Sequence, residues 1–316
     1  MATVSETLPQ IAEETLATRE PLTPAQLAWR RFRRHKMAMF GLLLMVLLIV
    51  YVIGGAFVFD EKYANFVNTS IKLQAPSQAH PFGTDAVGRD ILARTIYGGQ
   101  ISLIIGLAAV SVALVAGVVI GALSGYYGGW VDGILMRFTE AMLNIPQLFL
   151  LIIAAKYLGD KIQNFSAFGR EFSGSVIVII VIIGLDSWMY LARIVRSQFL
   201  SLKEQEFVTA ARCTGTPSMA IIAYHILPNS VAPIIVNATL GVANAILTEA
   251  YISFLGLGVR QPTATWGNML EDANRYLETA PWMWFFPGMM ILITVLAINF
   301  VGDGLRDALD PRARVE

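Results

Sequence analysis

The chain has 316 residues, 55% of them hydrophobic and 15% charged, with a mean hydropathy of +0.59. Long uncharged runs at that composition exclude an ordinary soluble domain and make it an all-α, polytopic membrane protein. A formal net charge of +0 gives no global basic field for nucleic acid, and the single cysteine, Cys213, excludes an internal disulfide.

Residues 1–36 read as a cytoplasmic tail ending in a basic patch, Arg30, Arg31, Arg33, Arg34 and Lys36, beside Trp29. The patch reads as the positive-inside anchor of a span and a contact with membrane lipid. No cleavable signal peptide is expected, because the apolar run that follows is too long for a signal core. Residues 37–59 carry no charge. At about 1.5 Å per residue they can cross about 30 Å of hydrocarbon as the first transmembrane helix. Residues 60–100 read as an extracytoplasmic loop, and residues 101–303 as the core that holds the other five spans.

The second span is expected over about Ile101–Leu123, with Gly117, Gly121 and Gly125 forming a small-xxx-small face that packs within the chain. The third, about Ile134–Tyr157, is interrupted by Glu140, Asn144, Pro146 and Gln147. Pro146 should kink it, and its polar groups need a protein or water-lined side. The fourth, about Ser175–Val195, carries Asp186. An acid at that depth marks a functional site or a structural pair, for which Arg193 is the candidate. The fifth, about Val231–Ala250, carries Asn237, Thr239, Asn244 and Thr248. The sixth, about Trp282–Val301, has Pro287 and Gly288 early in it, and residues 304–316 form a cytoplasmic tail. The candidate pore-facing residues are Asn144, Gln147, Asn237 and Asn244. Six spans put both termini on one side, and 14 of the 23 Lys and Arg fall on that side, which makes it cytoplasmic.

The same bias places residues 201–229 in the cytoplasm. Ser201 and Glu204 have capping-box spacing for a helix start. Phe207, Ala210, Ala211 and Thr214 recur on one narrow face, Gly215 can stop the helix in the left-handed conformation, and Thr216-Pro217 can open a second helix that Pro228 closes. One reading is an amphipathic connector. The other is a kinked rod that plugs a groove on a partner.

Several chemistries are missing from the sequence. It has no Gly-Lys dipeptide and therefore no nucleotide loop of the Walker type. Its three His, His35, His80 and His225, lack metal-ligand spacing, and no nucleophile elbow occurs. The chain is expected to bind no cofactor or metal and to be no enzyme, with any energy supplied by a partner or an ion gradient.

Ala210-Ala211, Gly215 and His225-Ile226-Leu227-Pro228-Asn229 resemble the EAA loop of binding-protein-dependent ABC-importer permeases. Thr209 stands where that family usually has Glu; Glu206, about one turn earlier, is the substitute carboxylate. Three further segments resemble the dipeptide/oligopeptide permeases of the C type. These are Phe82-Gly83-Thr84-Asp85 through Gly88-Arg89-Asp90, Arg94, Gly98-Gly99 and Ser102-Leu103; Glu249-Ala250 through Ser253–Val259, Pro262 and Trp266-Gly267; and Ala280-Pro281-Trp282 with Pro287-Gly288 and the tail Gly302–Arg312. Coverage runs from about Trp29 to Arg312. The resemblance implies the ABC type I importer permease fold. It implies a bacterial inner-membrane subunit for ATP-driven peptide import, with a sister permease, two cytoplasmic ATPases that hold ATP and Mg, and an extracytoplasmic peptide-binding protein. It makes Glu206, Phe207, Ala210, Ala211, Gly215, His225 and Pro228 the ATPase-coupling residues. Asp85, Arg89, Asp90 and Trp266 become gate or receptor-facing residues, where the three charged groups either pair within the loop or meet the binding protein; Trp266 is expected at the membrane interface. The alternatives are a secondary transporter driven by ions, which wants paired intramembrane charges and an inverted repeat, or a permease for glutathione or metal–peptide complexes.

Overall fold

The computed structural model describes residues 23–158, 161–167 and 170–310. Most of the expected N-terminal tail, and Pro311 and Arg312 of the C-terminal motif, lie outside the described residues. The described chain is helical apart from a two-stranded antiparallel hairpin, β1 (Phe165–Ala167) and β2 (Arg170–Phe172).

Helix α1 (Pro24–Arg34) is held by a capping box from Thr23 and Gln26. His35 then caps α2 (Lys36–Ile49), its Nδ1 accepting from the Ala38 amide at 3.0 Å. Together with a π turn and a 3-10 turn, α2 forms the first span, Lys36–Phe57. The basic helix α1 packs beside the far end of the chain. The Arg31 guanidinium donates to the Asp310 carbonyl at 3.0 Å, and His35 lies 3.4 Å from Asp307. The described ends of the chain therefore meet on one side of the bundle.

Helix α3 (Ile91–Tyr127) is 37 residues long. It starts well ahead of the expected Ile101, so the polar loop ends at residue 90 and not at residue 100. Asp90 caps it, accepting from the Ala93 amide at 2.8 Å, and Gly128 ends it at φ +65. Arg94 and Gln100 in the early turns hid this start, because their partners are tertiary: Arg94 donates to Asn65 and Gln100 to the Val52 carbonyl.

The expected third span is two helices, α4 (Gly129–Leu143) and α5 (Gln147–Leu158), bent by 84° across a three-residue break. This exceeds a proline kink. Pro146 has no amide donor and its ring obstructs the preceding turn. The backbone closes α4 with Ile145 N–H on the Met142 carbonyl, and the Asn144 amide side chain covers the Glu140 carbonyl at 2.7 Å. Among the described residues, five helices are long and apolar enough to cross a membrane, and the broken pair makes a sixth if it counts as one span.

Helix α6 (Ser175–Leu202) makes its most extensive contact with α3. The glycine stripe lies in that contact. A Cβ added at Gly117 would sit 2.9 Å from Leu191 Cβ, at Gly121 2.5 Å from the Ala192 carbonyl oxygen, and at Gly125 2.5 Å from Phe199 Cβ. Glycine is needed there for close backbone approach, as the expectation of packing within the chain required. Helix α6 runs past the expected Val195 and through Ser201, so Ser201 and Glu204 do not form a capping box. The next helix, α7 (Glu206–Cys213), starts from Gln205 with no side-chain cap.

The segment beyond is not a short helix closed by Pro228. Residues Ser218–Phe254 form one apolar span. A π turn at Ile221–Ile226, a 3-10 turn at Pro228–Ser230 and then α8 (Val231–Phe254) follow without a stop. The i→i+5 bond from the Leu227 amide to the Ile222 carbonyl, 2.9 Å, helps the backbone pass a residue that lacks an amide. Helices α9 (Trp266–Ala273) and α10 (Trp282–Leu309) complete the chain, with Pro287 inside α10. Residues 302–309, expected partly in the tail, continue that helix.

Candidate functional site

Three features arise where the sequence concentrates its polar and irregular residues. The first is the elbow between α6 and α8. Helix α7 ends in a Schellman motif: Gly215 N–H donates to the Arg212 carbonyl and Thr216 N–H to the Ala211 carbonyl, with Gly215 at φ +80. The expected single face of Phe207, Ala210, Ala211 and Thr214 divides. Ala211 is buried with Val208, and both pack on Ile221, Ile222 and Ile226 and on Phe199 of α6. Phe207, Ala210 and Thr214 are exposed, as are Glu206, Thr209, Cys213 and Pro228, while His225 is half-buried. The outward surface also carries Met219 and Tyr224, the latter 78% exposed, which the sequence reading did not single out. The inner contacts make the elbow a stiff continuation of the two helices it joins. The Lys203 ammonium adds a bond to the Gly125 carbonyl at 3.0 Å, and the Arg212 guanidinium lies 5.6 Å over the Tyr126 ring.

The second feature is a cavity of about 770 Å³ between α3, the α4–α5 break, α6 and α8. Asn144, Gln147, Asn237 and Asn244 all line it, brought together from two segments about ninety residues apart. Asp186 lines it too, and its partner is not Arg193: the Gln147 amide donates to the Asp186 carboxylate. Arg193 borders a neighbouring recess beside Glu140.

The third feature is a polar knot over the N-terminal end of α3. Asp85, Arg89 and Asp90 are all buried. Arg89 donates to Asp85 and Gln261, and to Asp272 at 2.9 Å. Asp85 also accepts from the amides of Val87 and Arg89, both at 2.9 Å. Asp90 pairs with His80 at 2.8 Å while it caps α3. Of the two arrangements open to the loop, this is internal pairing, and none of these side chains presents a broad surface to a partner. Trp266, expected at the membrane interface, lies inside the protein. It is 0% exposed, and its indole donates to the Thr95 carbonyl at 2.9 Å. Glu249 ties the knot to the bundle. It is fully buried in α8 and accepts from Ser253 at 2.7 Å and from Ser102 at 3.3 Å, while the Ser102 hydroxyl accepts the Trp266 amide. At the edge of this region, burial pushes the Glu271 carboxyl above its ordinary range; Asp272 adds to the rise and Arg275 opposes it. Gln261, from the segment before α9, and Asp272, in α9 itself, are remote in sequence from Arg89, while His80 stands ten residues before Asp90; no local spacing announces them.

Two family models match the chain. One, described as binding-protein-dependent transport system inner membrane component, covers residues 117–315. The other, the N-terminal TM domain of oligopeptide transport permease C, covers residues 23–76. The dipeptide transport system permease protein DppC of Alkalihalophilus pseudofirmus is 41% identical over 93% of this chain and 91% of its own length. The oligopeptide transport system permease protein OppC of Haemophilus influenzae is 40% identical over 91% of this chain and 88% of its own. OppC of Bacillus subtilis is 40% identical over 91% and 89%.

Proposed function

The chain belongs to the binding-protein-dependent transport system inner membrane components, and from that premise we propose how its architecture works. It is a permease subunit of an ATP-driven peptide importer, a multi-pass protein of the inner membrane. Its partners are a peptide-binding protein outside and ATPase subunits inside. In the full reading these are one sister permease and two ATPases, which hold the ATP and Mg, while this chain binds no cofactor and performs no catalysis. Both termini and the α6–α8 elbow lie in the cytoplasm.

The observation that carries this reading is the elbow's place in the chain. It joins α6 and α8, and both of those helices line the cavity. An ATPase that grips Glu206, Phe207, Ala210 and Gly215 can therefore move two cavity walls at once. The buried contacts of Val208 and Ala211 transmit that motion instead of absorbing it. Glu206, exposed in the first turn of α7, supplies the carboxylate that Thr209 does not. ATP-driven closure of the ATPases rocks the helices, and the cavity opens alternately to each side. The knot around Arg89 serves as the outer gate. Nothing observed favours an ion-coupled transporter acting alone.

A tagged chain purified from its native membrane in mild detergent should bring a second permease and ATPase subunits with it. Their hydrolysis of ATP should rise with peptide-loaded binding protein. A chain that purifies alone, even after crosslinking through the exposed Cys213, would overturn the coupling role.

A further inference from the structure

Asp186 lies in the middle of α6, 6% exposed, in a segment long and apolar enough to span a membrane. An ionisable acid at such depth costs several kcal/mol unless something of opposite charge meets it. Among the described residues, no Lys, Arg or His lines the cavity that Asp186 borders. Its hydrogen-bond donor there is the neutral amide of Gln147, which begins α5 directly after the 84° break. The remaining polar lining is neutral: Asn144, Ser187, Tyr190, Asn237, Asn244 and Thr248. The cavity therefore offers one ionisable carboxyl at one fixed point, surrounded by amides and hydroxyls.

A ligand that complements this pattern carries a compact cation with several N–H donors, joined to a neutral, amide-rich body. A primary ammonium meets a carboxylate in charge-assisted hydrogen bonds about 2.7–2.9 Å long, roughly twice as strong as neutral ones. Resting on the reading of the chain as a peptide permease, we propose that Asp186 is the cavity subsite for the amino terminus of the passing peptide. Gln147 holds the carboxylate in place, and the asparagines of α8 serve the peptide backbone. Because no basic side chain lines the cavity among the described residues, the peptide's carboxyl end and side chains are not gripped by charge. One-point recognition of the group common to unblocked peptides suits a path that must pass many sequences.

The test uses the complete transporter in proteoliposomes with its binding protein at saturation. Tri-alanine is the probe, since its amino terminus is its only cation. Asp186→Asn keeps the size of the side chain and its bond to Gln147 but removes the charge; Asp186→Glu keeps the charge. Tri-alanine uptake should fall about tenfold or more in D186N and recover largely in D186E. Uptake is read per ATP hydrolysed, so that a loss of ATPase assembly is not scored as a loss of the subsite. A second measurement needs no turnover. In a Cys213→Ser background, Ala238→Cys places a thiol on the cavity wall. Tri-alanine should slow its labelling by a maleimide, N-acetyl-tri-alanine should not, and D186N should erase the difference. Wild-type uptake by D186N, or equal protection by the two peptides while Asp186 is present, would overturn the subsite. If D186N fails to assemble, the comparison of the two peptides on A238C alone decides. A wild-type complex that imports no peptide would instead refute the importer reading, and the labelling comparison would still decide the role of Asp186.

Discussion

Gly121→Ala adds one methyl group where α3 and α6 approach most closely. Its Cβ would lie 2.5 Å from the Ala192 carbonyl oxygen and 2.7 Å from Val195 Cβ. Ordinary contact between such atoms is about 3.5 Å, so the helices must part by roughly 1 Å. The neighbours raise the cost. Gly125 would still need its backbone against Phe199 Cβ, and parting the helices strains the bond from Lys203 to the Gly125 carbonyl, now 3.0 Å. The Arg196–Asp132 pair, bonded at 2.6 Å between α6 and the start of α4, loosens as well. Overpacking of this kind costs about 1–3 kcal/mol. Gly133→Ala is the control: it also sits in a helix, a Cβ there meets nothing within 4 Å, and it gains about 1 kcal/mol in helix propensity. Thermal unfolding followed by tryptophan fluorescence should show a clear drop in midpoint for G121A and none for G133A. Equal midpoints would refute the close packing of α3 on α6. A G121A chain that keeps its midpoint but loses the sister permease would show that the stripe faces the partner instead.

Gly215→Val places a β-branched residue at φ +80 with open space around it, so its cost is conformational, about 1–2 kcal/mol. The elbow should reorient, and peptide uptake should fall while ATP hydrolysis persists; unchanged uptake in proteoliposomes would remove Gly215 from the coupling mechanism. Arg89→Ala removes the nearer of two cations beside buried Asp85 and leaves Arg94 at 4.0 Å, and breaking such a pair costs up to about 3–5 kcal/mol. The variant should unfold well below wild type, whereas Asp85→Asn combined with it should recover part of the loss; no recovery would argue against their pairing. Glu271 binds its proton more tightly when folded than the ordinary value of 4.5 allows. Its contribution to stability is therefore full at lower pH and is lost as pH rises from about 4.5 through the raised folded value. Glu271→Gln should flatten that part of a stability-versus-pH curve, and an unchanged slope would contradict the raised value of this carboxyl.

The spans were legible because each is a long apolar run, and that signal is local. So was the stop at Gly215, which needs only a glycine after a helical stretch. The boundaries were less so. Arg94 and Gln100 look like loop residues until Asn65 and the Val52 carbonyl are brought to them, and the first ten residues of α3 were lost for that reason. Pro228 reads as a stop, but a π turn carries the helix past it. Ser201 and Glu204 match a cap by spacing, yet apolar packing at Val195 and Phe199 carries α6 through Ser201 to Leu202 and leaves Glu204 in the turn beyond. Within the site, the amides placed inside apolar runs line the cavity wall, since an amide in a span needs a polar side. The partner of Asp186 was misjudged: Arg193, two turns on, is near in sequence, but the α4–α5 break swings Gln147 onto the carboxylate.

ATP-driven uptake of a labelled peptide by the reconstituted complex is the most direct measurement. Wild-type chain, sister permease, ATPases and binding protein together should accumulate peptide only when ATP and Mg are supplied on the cytoplasmic side. Accumulation should fail when this permease is omitted. Uptake that runs without ATP on an imposed ion gradient, or that is unaffected by leaving this chain out, would contradict its role as a permease subunit of an ATP-driven importer.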